Sequence, residues 1–174
     1  MLVTALAESH VQAYRGLMLE AYEHAADAFT STAQEREAEP LSWWLERVGS
    51  EAGPARSFGA WHRDDLVGAV ALAFSAKPKT RHAALVLGMY VRPPHRGRGV
   101  GRQLLQVAIA AAAARPELRV LTLTLTEGNL PAQRLYESLG FVAWGVEPLA
   151  IRTPSGYRGK VHMTKVLAHA DAAA

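Results

Sequence analysis

Between a predicted strand and a predicted helix the chain reads Arg92-Pro93-Pro94-His95-Arg96-Gly97-Arg98-Gly99-Val100-Gly101. So many Gly and Pro residues exclude regular structure from the first part of this stretch and predict a loop. Glycine lets the backbone turn sharply and expose its N–H groups, and such groups at the start of a helix form an anion site. With Arg96, Arg98 and Arg102 close by, the stretch predicts a site for a pyrophosphate.

Three interpretations of this loop compete when it is taken alone. A P-loop NTPase requires Lys and then Ser or Thr after the last Gly, whereas Gly101 is followed by Arg102-Gln103. A dinucleotide-binding fingerprint requires G-x-G-x-x-G, and here the third Gly comes one residue early. The loop is also compatible with a Gly-rich connector that carries solvated arginines.

The rest of the chain predicts a mixed α/β domain with the element order ααβββαβαββ, because helical and period-two apolar patterns alternate along it. The predicted helices are His10–Glu23, Pro40–Val48, Gln103–Ala114 and Asn129–Leu139. The predicted strands are Ser57–Trp61, Leu66–Phe74, Ala83–Val91, Val120–Thr126, Phe141–Val146 and Tyr157–Val166, with one further strand expected near Leu2–Leu6.

Three local patterns add detail to this prediction. The apolar side of the first helix is expected to consist of Val11, Tyr14, Leu17, Met18 and Ala21. Ala83–Val91 is apolar nearly throughout, which predicts a central strand. The Ser/Thr-rich segment Phe29–Gln34 is expected to be a loop.

Composition limits the classes of protein that the chain can represent. Its 174 residues, 49% of them apolar, suit one domain over residues 1–168 with an Ala-rich tail at 169–174. The absence of cysteine excludes disulfides, thiolate metal sites and a cysteine nucleophile. The seven histidines show no metal-ligand spacing, so no metal is expected. Short apolar runs and the lack of a signal-peptide pattern predict a cytoplasmic protein without a membrane partner.

Two signatures together resemble the GCN5-related N-acetyltransferase (GNAT) family. Arg96–Gly101 matches the family's R/Q-x-x-G-x-G/A motif, and Met89–Pro93 looks like the strand end that precedes it. Further along, Glu127–Phe141 resembles the second signature, in which Asn is followed by Ala, Leu-Tyr and Gly-Phe. The resemblance covers roughly residues 2–167. It implies the GNAT fold, a mixed and mostly antiparallel sheet of about seven strands flanked by about four helices, with its two central strands splayed apart.

The resemblance also implies an N-acetyltransferase that uses acetyl-CoA. The backbone of the strand end would pair with the pantetheine arm, and the loop would hold the pyrophosphate. Asn129 would contact the cofactor near its thioester, and Tyr136 would act as the general acid that protonates the leaving thiolate. Residues seven apart on a helix differ by only about 20° around its axis, so these two share a face. The implied cofactor-binding residues are Met89, Tyr90, Val91, Arg96, Gly97, Arg98, Gly99, Val100, Gly101, Arg102, Asn129 and Tyr136.

The sequence indicates the general base and the acceptor less clearly than the cofactor-binding residues. Some family members carry a Glu on the strand that corresponds to Ala83–Val91, which has no carboxylate here, so Glu127 is the candidate base. The acceptor is expected to be an amine of a small molecule, an amino acid or a protein. Related sequences often carry an Asp-Glu pair where Arg158–Lys160 lies, which predicts a preference for acidic acceptors. The candidate acceptor-site residues are Phe29, Trp43, Tyr157 and Arg158.

Without a cysteine, we expect direct transfer in a ternary complex rather than an acyl-enzyme. A sensor that binds acetyl-CoA without turnover is the alternative function. A nucleic-acid binder is disfavoured, because the net charge is only +3 and the basic residues cluster at Arg92–Arg102, which suits a small anion. The resemblance also allows a homodimer.

Overall fold

The computed structural model describes residues 1–49 and 53–168. Within these ranges a seven-stranded sheet has the order β1-β2-β3-β4-β5-β7-β6. The strands are β1 Leu2–Ala5, β2 Ala55–His62, β3 Asp65–Phe74, β4 Ala83–Val91, β5 Val120–Thr126, β6 Val142–Thr153 and β7 Gly156–Val166. The helices are α1 Val11–His24, α2 Ala33–Glu37, α3 Leu41–Val48, α4 Val100–Ala113 and α5 Leu130–Glu137.

The sheet is mixed, as predicted, and β4 is its middle strand. Every neighbouring pair is antiparallel except β4 and β5, which run parallel. These two strands pair only from Ala83↔Val120 to Leu85↔Thr122 and then separate. The expected splay of the two central strands is therefore confirmed, and it opens a gap in the middle of the sheet.

A β-bulge lies on β4 beside this gap. The register with β3 passes from Ala71↔Leu87 to Ala69↔Tyr90, so β4 contains one extra residue there. Gly88 within the bulge has φ 63°, a left-handed conformation that favours glycine. A bulge bends its strand and redirects the adjacent side chains, and here it turns Met89 towards the gap.

The two faces of the sheet carry separate apolar cores. One core packs α4 and α5 on the sheet, and Leu104, Leu105 and Leu121 are completely buried in it. The other packs α1 and α3 around Leu17 and Trp44. All five residues of the predicted apolar side of α1 are buried, so that prediction is confirmed.

The structure corrects three boundaries. Residues 33 and 34, predicted as loop, begin α2, because Thr32 and Glu35 form a reciprocal capping box. Helix α4 begins at Val100 rather than Gln103. Strand β6 continues beyond its predicted end to Thr153. It includes Pro148, which has no N–H to donate. An edge strand tolerates this because one of its sides has no neighbouring strand. The predicted tail at 169–174 lies outside the described residues.

Candidate functional site

A cavity of about 590 Å³, here called the central cleft, occupies the gap between β4 and β5. Its walls come from β4, from the end of β5 and from helices of both faces of the sheet. Because β5 has left β4 at this point, the β4 backbone near Met89 has no β5 partner. The cleft therefore combines an unpaired strand edge with a polar and apolar lining.

The predicted phosphate loop, Arg96–Gly101, adjoins the cleft through Met89. A Cβ built on Gly101 would lie 3.6 Å from the Met89 methyl and 3.3 Å from Leu135 Cδ2. Gly97 and Gly99 have φ 71° and 78°, and a Cβ on either would meet nothing within 4 Å. These two glycines are thus needed for the course of the backbone, and the surface beside them is open.

The loop ends at the N-terminus of α4. Gly99 occupies the N-cap position and has no side chain that could accept a hydrogen bond from the first turn. The first N–H groups of an α-helix have no intrahelical acceptor, and the helix dipole adds partial positive charge there. Val100 buries its side chain in the core and is 3% exposed, so it can offer only its backbone. This end of α4 has the properties of an anion site.

The arginines of the loop differ in how they are held. Arg96 donates from Nε to the Val91 carbonyl at 2.7 Å. Arg102 donates from Nη1 to Ser138 Oγ at 2.7 Å, which ties α4 to the end of α5. Arg98 is exposed at the loop surface. The structure thus holds Arg96 towards β4 and Arg102 towards the end of α5, and their binding of a phosphate stays a prediction.

Of the three predicted cofactor-binding residues on β4, the structure brings Met89 to the cleft and turns Tyr90 away. Tyr90 is 4% exposed, and its hydroxyl donates to Glu20 Oε1 at 3.1 Å. Burial, followed by the Glu20 charge, raises the pKa of Tyr90. Only the backbone of Tyr90 is available to a ligand. Val91 lies near Gly101, with 3.9 Å between its Cγ2 and a Cβ built there.

Asn129 and Tyr136 both line the central cleft from α5. Asn129 caps this helix, and its Oδ1 accepts from the Ala132 N–H at 3.3 Å. Pro131 lies in the first turn, where the missing N–H removes no intrahelical bond. The cap fixes the start of α5 and hence the direction of Tyr136 two turns later.

Tyr136 is 7% exposed, and burial raises the pKa of its hydroxyl to about 12. Its ring packs edge-on against Phe141, with 5.8 Å between centroids. Within the described chain, its hydroxyl makes no hydrogen bond to a protein group. A protonated and unpartnered hydroxyl thus lines the cleft.

Glu127 lies at a second cavity of about 640 Å³, which also borders Thr126 and Asn129. The carboxylate is exposed, and a Cβ on Gly159 would lie 2.8 Å from its Oε2. Because Thr126 and Asn129 line both cavities, Glu127 is next to the central cleft but outside its lining.

The four candidate acceptor residues are separated by the structure. Phe29 lines the central cleft and packs edge-on against Tyr22, with 4.9 Å between centroids. Trp43 is half-buried beside the cleft, whereas Arg158 lines the second cavity. Tyr157 is 63% exposed in β7 and lines neither cavity.

Three basic residues of the central cleft were not among the predicted site residues. Arg36 and Arg47 come from α2 and α3, and Lys160 comes from β7. Lys160 is 7% exposed, and burial lowers its pKa while the Glu147 charge acts in the opposite direction. The sequence grouped Lys160 with Arg158, which faces elsewhere. The Thr32–Glu35 capping pattern could have revealed α2, but no local pattern shows that its arginine reaches the cleft.

Among the described residues, no group of three His, Cys, Asp or Glu side chains could hold a metal ion. No helix in the described part of the chain is long and apolar enough to cross a membrane.

Comparison with known proteins gives the family. The model of the Acetyltransferase (GNAT) family matches residues 18–141. Mycothiol acetyltransferase from Acidothermus cellulolyticus is 34% identical over 116 residues, which are 66% of this chain and 30% of that protein. The chain spans less than a third of the length of the curated relatives that it matches.

Solved structures have a similar fold over nearly the whole chain. A GCN5-related N-acetyltransferase from Kribbella flavida is 27% identical with a TM-score of 0.76, and the match covers 95% of this chain and 97% of that one. A putative acetyltransferase from Salmonella typhimurium, solved with its cofactor acetyl-CoA, is 21% identical with a TM-score of 0.80, covering 100% and 98%. The family model spans well over half of the sequence and the fold agrees with it, so this chain belongs to the GNAT family of acetyltransferases.

Proposed function

We propose that this chain is an N-acetyltransferase that passes the acetyl group of acetyl-CoA directly to a primary amine. The observation that carries the proposal is the central cleft, which is lined by the buried Tyr136 and adjoins, through Met89, the loop at the N-terminus of α4. An anion site at one end suits a diphosphate, and a protonated hydroxyl further in suits a leaving thiolate.

The residues present fit acetyl-CoA. The open loop at Gly97 and Gly99 and the first N–H groups of α4 would hold the diphosphate, with Arg96, Arg98 and Arg102 around them. The β4 edge near Met89, left free by β5, would hydrogen-bond the pantetheine amides as an added strand does. When bound, acetyl-CoA supplies an activated acetyl group and a thiolate leaving group.

Tyr136 is the proposed general acid. Its pKa of about 12 keeps the proton on Oη throughout the physiological pH range, because burial disfavours the phenolate. The departing thiolate is basic, so a nearby proton donor assists its departure by protonating it. Asn129, on the same face of α5, would contact the cofactor close to this position.

Glu127 remains the proposed general base. An aliphatic amine has a pKa of about 10.4 and must lose a proton before it can act as a nucleophile. Glu127 borders the second cavity together with Glu23 and Asp27. Their negative charge would attract an ammonium group to the rim of the central cleft, and a water molecule could connect Glu127 to the amine.

An acetyl-CoA-dependent screen of amines, followed by thiol release, tests the function. Initial-rate kinetics in both substrates should give intersecting lines, as a ternary complex requires, since the chain has no cysteine to form an acyl-enzyme. Calorimetry with CoA and acetyl-CoA tests cofactor binding separately. Tight binding without turnover for any amine would support the alternative, a sensor of acetyl-CoA.

The remaining expectations on partners are proposals too. A cytoplasmic location and the lack of a nucleic-acid partner stay predictions from the sequence. For a homodimer, the exposed edge strand β6 is the candidate surface, since Val142, Trp144 and Leu149 are 67%, 68% and 72% exposed. Light scattering of the protein and of Trp144→Ser would test that assembly.

A further inference from the structure

The acceptor side of the central cleft holds two arginines, Arg36 and Arg47, here called the arginine pair. Arg36 pairs with Glu39 at 3.2 Å and donates to Ser31 Oγ at 2.6 Å. Arg47 has no ion pair within the described residues. The arginine pair therefore brings two positive charges into the cleft. The carboxylate of Glu39 balances the charge of Arg36.

Trp43 holds both guanidinium groups in place. Arg47 Cζ lies 3.1 Å from the centroid of this indole ring, and Arg36 Cζ lies 4.5 Å from it. Stacking on an aromatic ring covers one face of a guanidinium and leaves the N–H groups at its edge free to donate. The arginine pair is thus positioned before any ligand arrives.

Hydrogen-bond donors exceed acceptors in this part of the cleft. Arg36 Nε and Trp44 Nε1 are buried without an acceptor in the described part of the chain. Burial, followed by the charge of Arg36, lowers the pKa of Arg47, so the two cations disfavour each other. An anionic group bound at the remaining N–H groups of the two guanidiniums would relieve the repulsion between the cations.

The arginine pair shares the central cleft with the bulge of β4, beside which the amine would react under the proposed function. A Cβ built on Gly88, in the bulge of β4, would lie 3.7 Å from the Tyr14 hydroxyl. Tyr14 in turn contacts Ser57 and lies within range of the Arg47 charge, and Ser57 Oγ donates to the Arg47 carbonyl at 2.6 Å. The bulge of β4, Tyr14 and the arginine pair all line the same cleft.

We propose that the acceptor is an amine that carries a carboxylate, as an amino acid does, and that the arginine pair binds the carboxylate. The inference rests on the proposed function and names its substrate class. The planar guanidinium edge matches two carboxylate oxygens. At the neighbouring second cavity three carboxylates, those of Glu23, Asp27 and Glu127, outnumber the one guanidinium of Arg158 and suit the ammonium group of the same acceptor. The exposed Glu46 at the cleft would disfavour acceptors with a second carboxylate on that side.

Matched acceptor pairs test this proposal. Thiol release is measured with each common amino acid and with its α-amide, and kcat/KM is compared within each pair. The amide has the less basic amine and therefore more of the reactive neutral form, so amine chemistry alone favours the amide. We expect the acid to exceed the amide by roughly 10- to 100-fold for the preferred side chain, the range for hydrogen bonds to a charged group.

Variants connect the preference to the arginine pair. In Arg47→Gln and in Arg36→Gln the ratio of acid to amide should fall towards one, and Arg47→Lys should retain part of it because the charge remains. Arg81→Gln removes an exposed arginine from the turn before β4 and should leave the ratio unchanged. If Arg47→Gln does not fold, Arg36→Gln and Arg47→Lys decide the matter.

Binding without turnover separates this proposal from the function on which it rests. N-acetylated amino acids and their amides are titrated into the protein while its tryptophan fluorescence is followed, to which Trp43 and Trp44 contribute beside the arginine pair. Tighter binding of the acids, lost in Arg47→Gln, supports the arginine pair even if no amine is acetylated. Equal kcat/KM for acids and amides, or an equal loss on both in the variants, would overturn it.

Discussion

Beside the central cleft, the predicted phosphate loop presents mainly backbone N–H groups, whereas inside the cleft, at its proposed acceptor end, α1, α2 and α3 present side chains. The loop depends on two glycines with positive φ and on the first turn of α4. The acceptor end depends on an aromatic ring that aligns two arginines. Under the proposed function the loop would bind one constant group, the diphosphate of CoA, and the acceptor end would determine which amine reacts.

This difference has a physical reason. A backbone site needs particular φ angles, and few residue types other than glycine adopt them, so its sequence is constrained. A side-chain site can be built from many residues on different elements, provided that their ends meet. The same difference predicts that substitutions at the loop change cofactor binding, whereas those deeper in the cleft change turnover or acceptor choice.

The largest effect is expected from Tyr136→Phe. The ring keeps its contact with Phe141, but the proton donor is lost, so kcat should fall by about 10²-fold or more. The Kd for acetyl-CoA, measured by calorimetry, should change little. A kcat near that of the wild type would remove Tyr136 from the chemistry.

A smaller effect is expected at the loop itself, from Gly99→Ala. A left-handed conformation costs a non-glycine residue about 1–2 kcal/mol, so the Kd for CoA should rise about tenfold as the loop shifts. Gly156→Ala is the matched control, because Gly156 also has positive φ, 113°, and open space but lies in the β6–β7 turn. If both variants weaken CoA binding equally, the loss reflects general destabilisation and not the loop.

Alkaline pH should lower the stability of the fold through two buried tyrosines that line the cleft, Tyr14 and Tyr136. The pKa values of Tyr14 and Tyr136 are raised to about 12, and that of an unfolded tyrosine is about 10. Below pH 10 both states are protonated, and between pH 10 and 12 the unfolded state loses its proton first, so stability falls as the pH rises. Each tyrosine should lower the free energy of unfolding by about 1 kcal/mol at pH 11. Urea unfolding at pH 8 and pH 11 would measure the loss, and Tyr14→Phe should reduce it.

The smallest effect is expected from Arg102→Gln. Its guanidinium is exposed and is already bound to Ser138, so water and salt screen its attraction for a phosphate. The Kd for CoA should rise about two- to fivefold at low salt and less at high salt. A loss larger than that of Gly99→Ala would mean that side chains, rather than the backbone, dominate this end.

Much of the fold could be predicted from the sequence because local patterns determined it. The apolar spacing of α1, the continuous apolar run of β4 and the Leu/Thr alternation of β5 each gave the correct element. Strand β6 was predicted too short, and its continuation through Pro148 depends on its position at the edge of the sheet. The edge position is a property of the whole sheet and not of the local sequence.

The site divides in the same way. The loop and the α5 signature are each contiguous in the chain, so the cofactor-binding residues could be proposed from the sequence alone. Lys160 and the arginine pair come from β7, α2 and α3, and only the fold brings them to one cleft. The preference for acidic acceptors was predicted from Arg158–Lys160, whereas our proposal of a carboxylate-bearing acceptor rests on Arg36 and Arg47.

The brief pairing of β4 with β5 has a consequence for how the molecule is held together. Strands β1 to β4 come from residues 2–91, and β5 to β7 come from residues 120–166, so the sheet consists of two consecutive halves of the chain joined at three residue pairs. A molecule lying between the halves would hydrogen-bond across their boundary and strengthen the joint. Amide hydrogen exchange near this boundary would then be slow in the complex and faster in the free protein. A bound substrate would thereby stabilise the sheet that binds it.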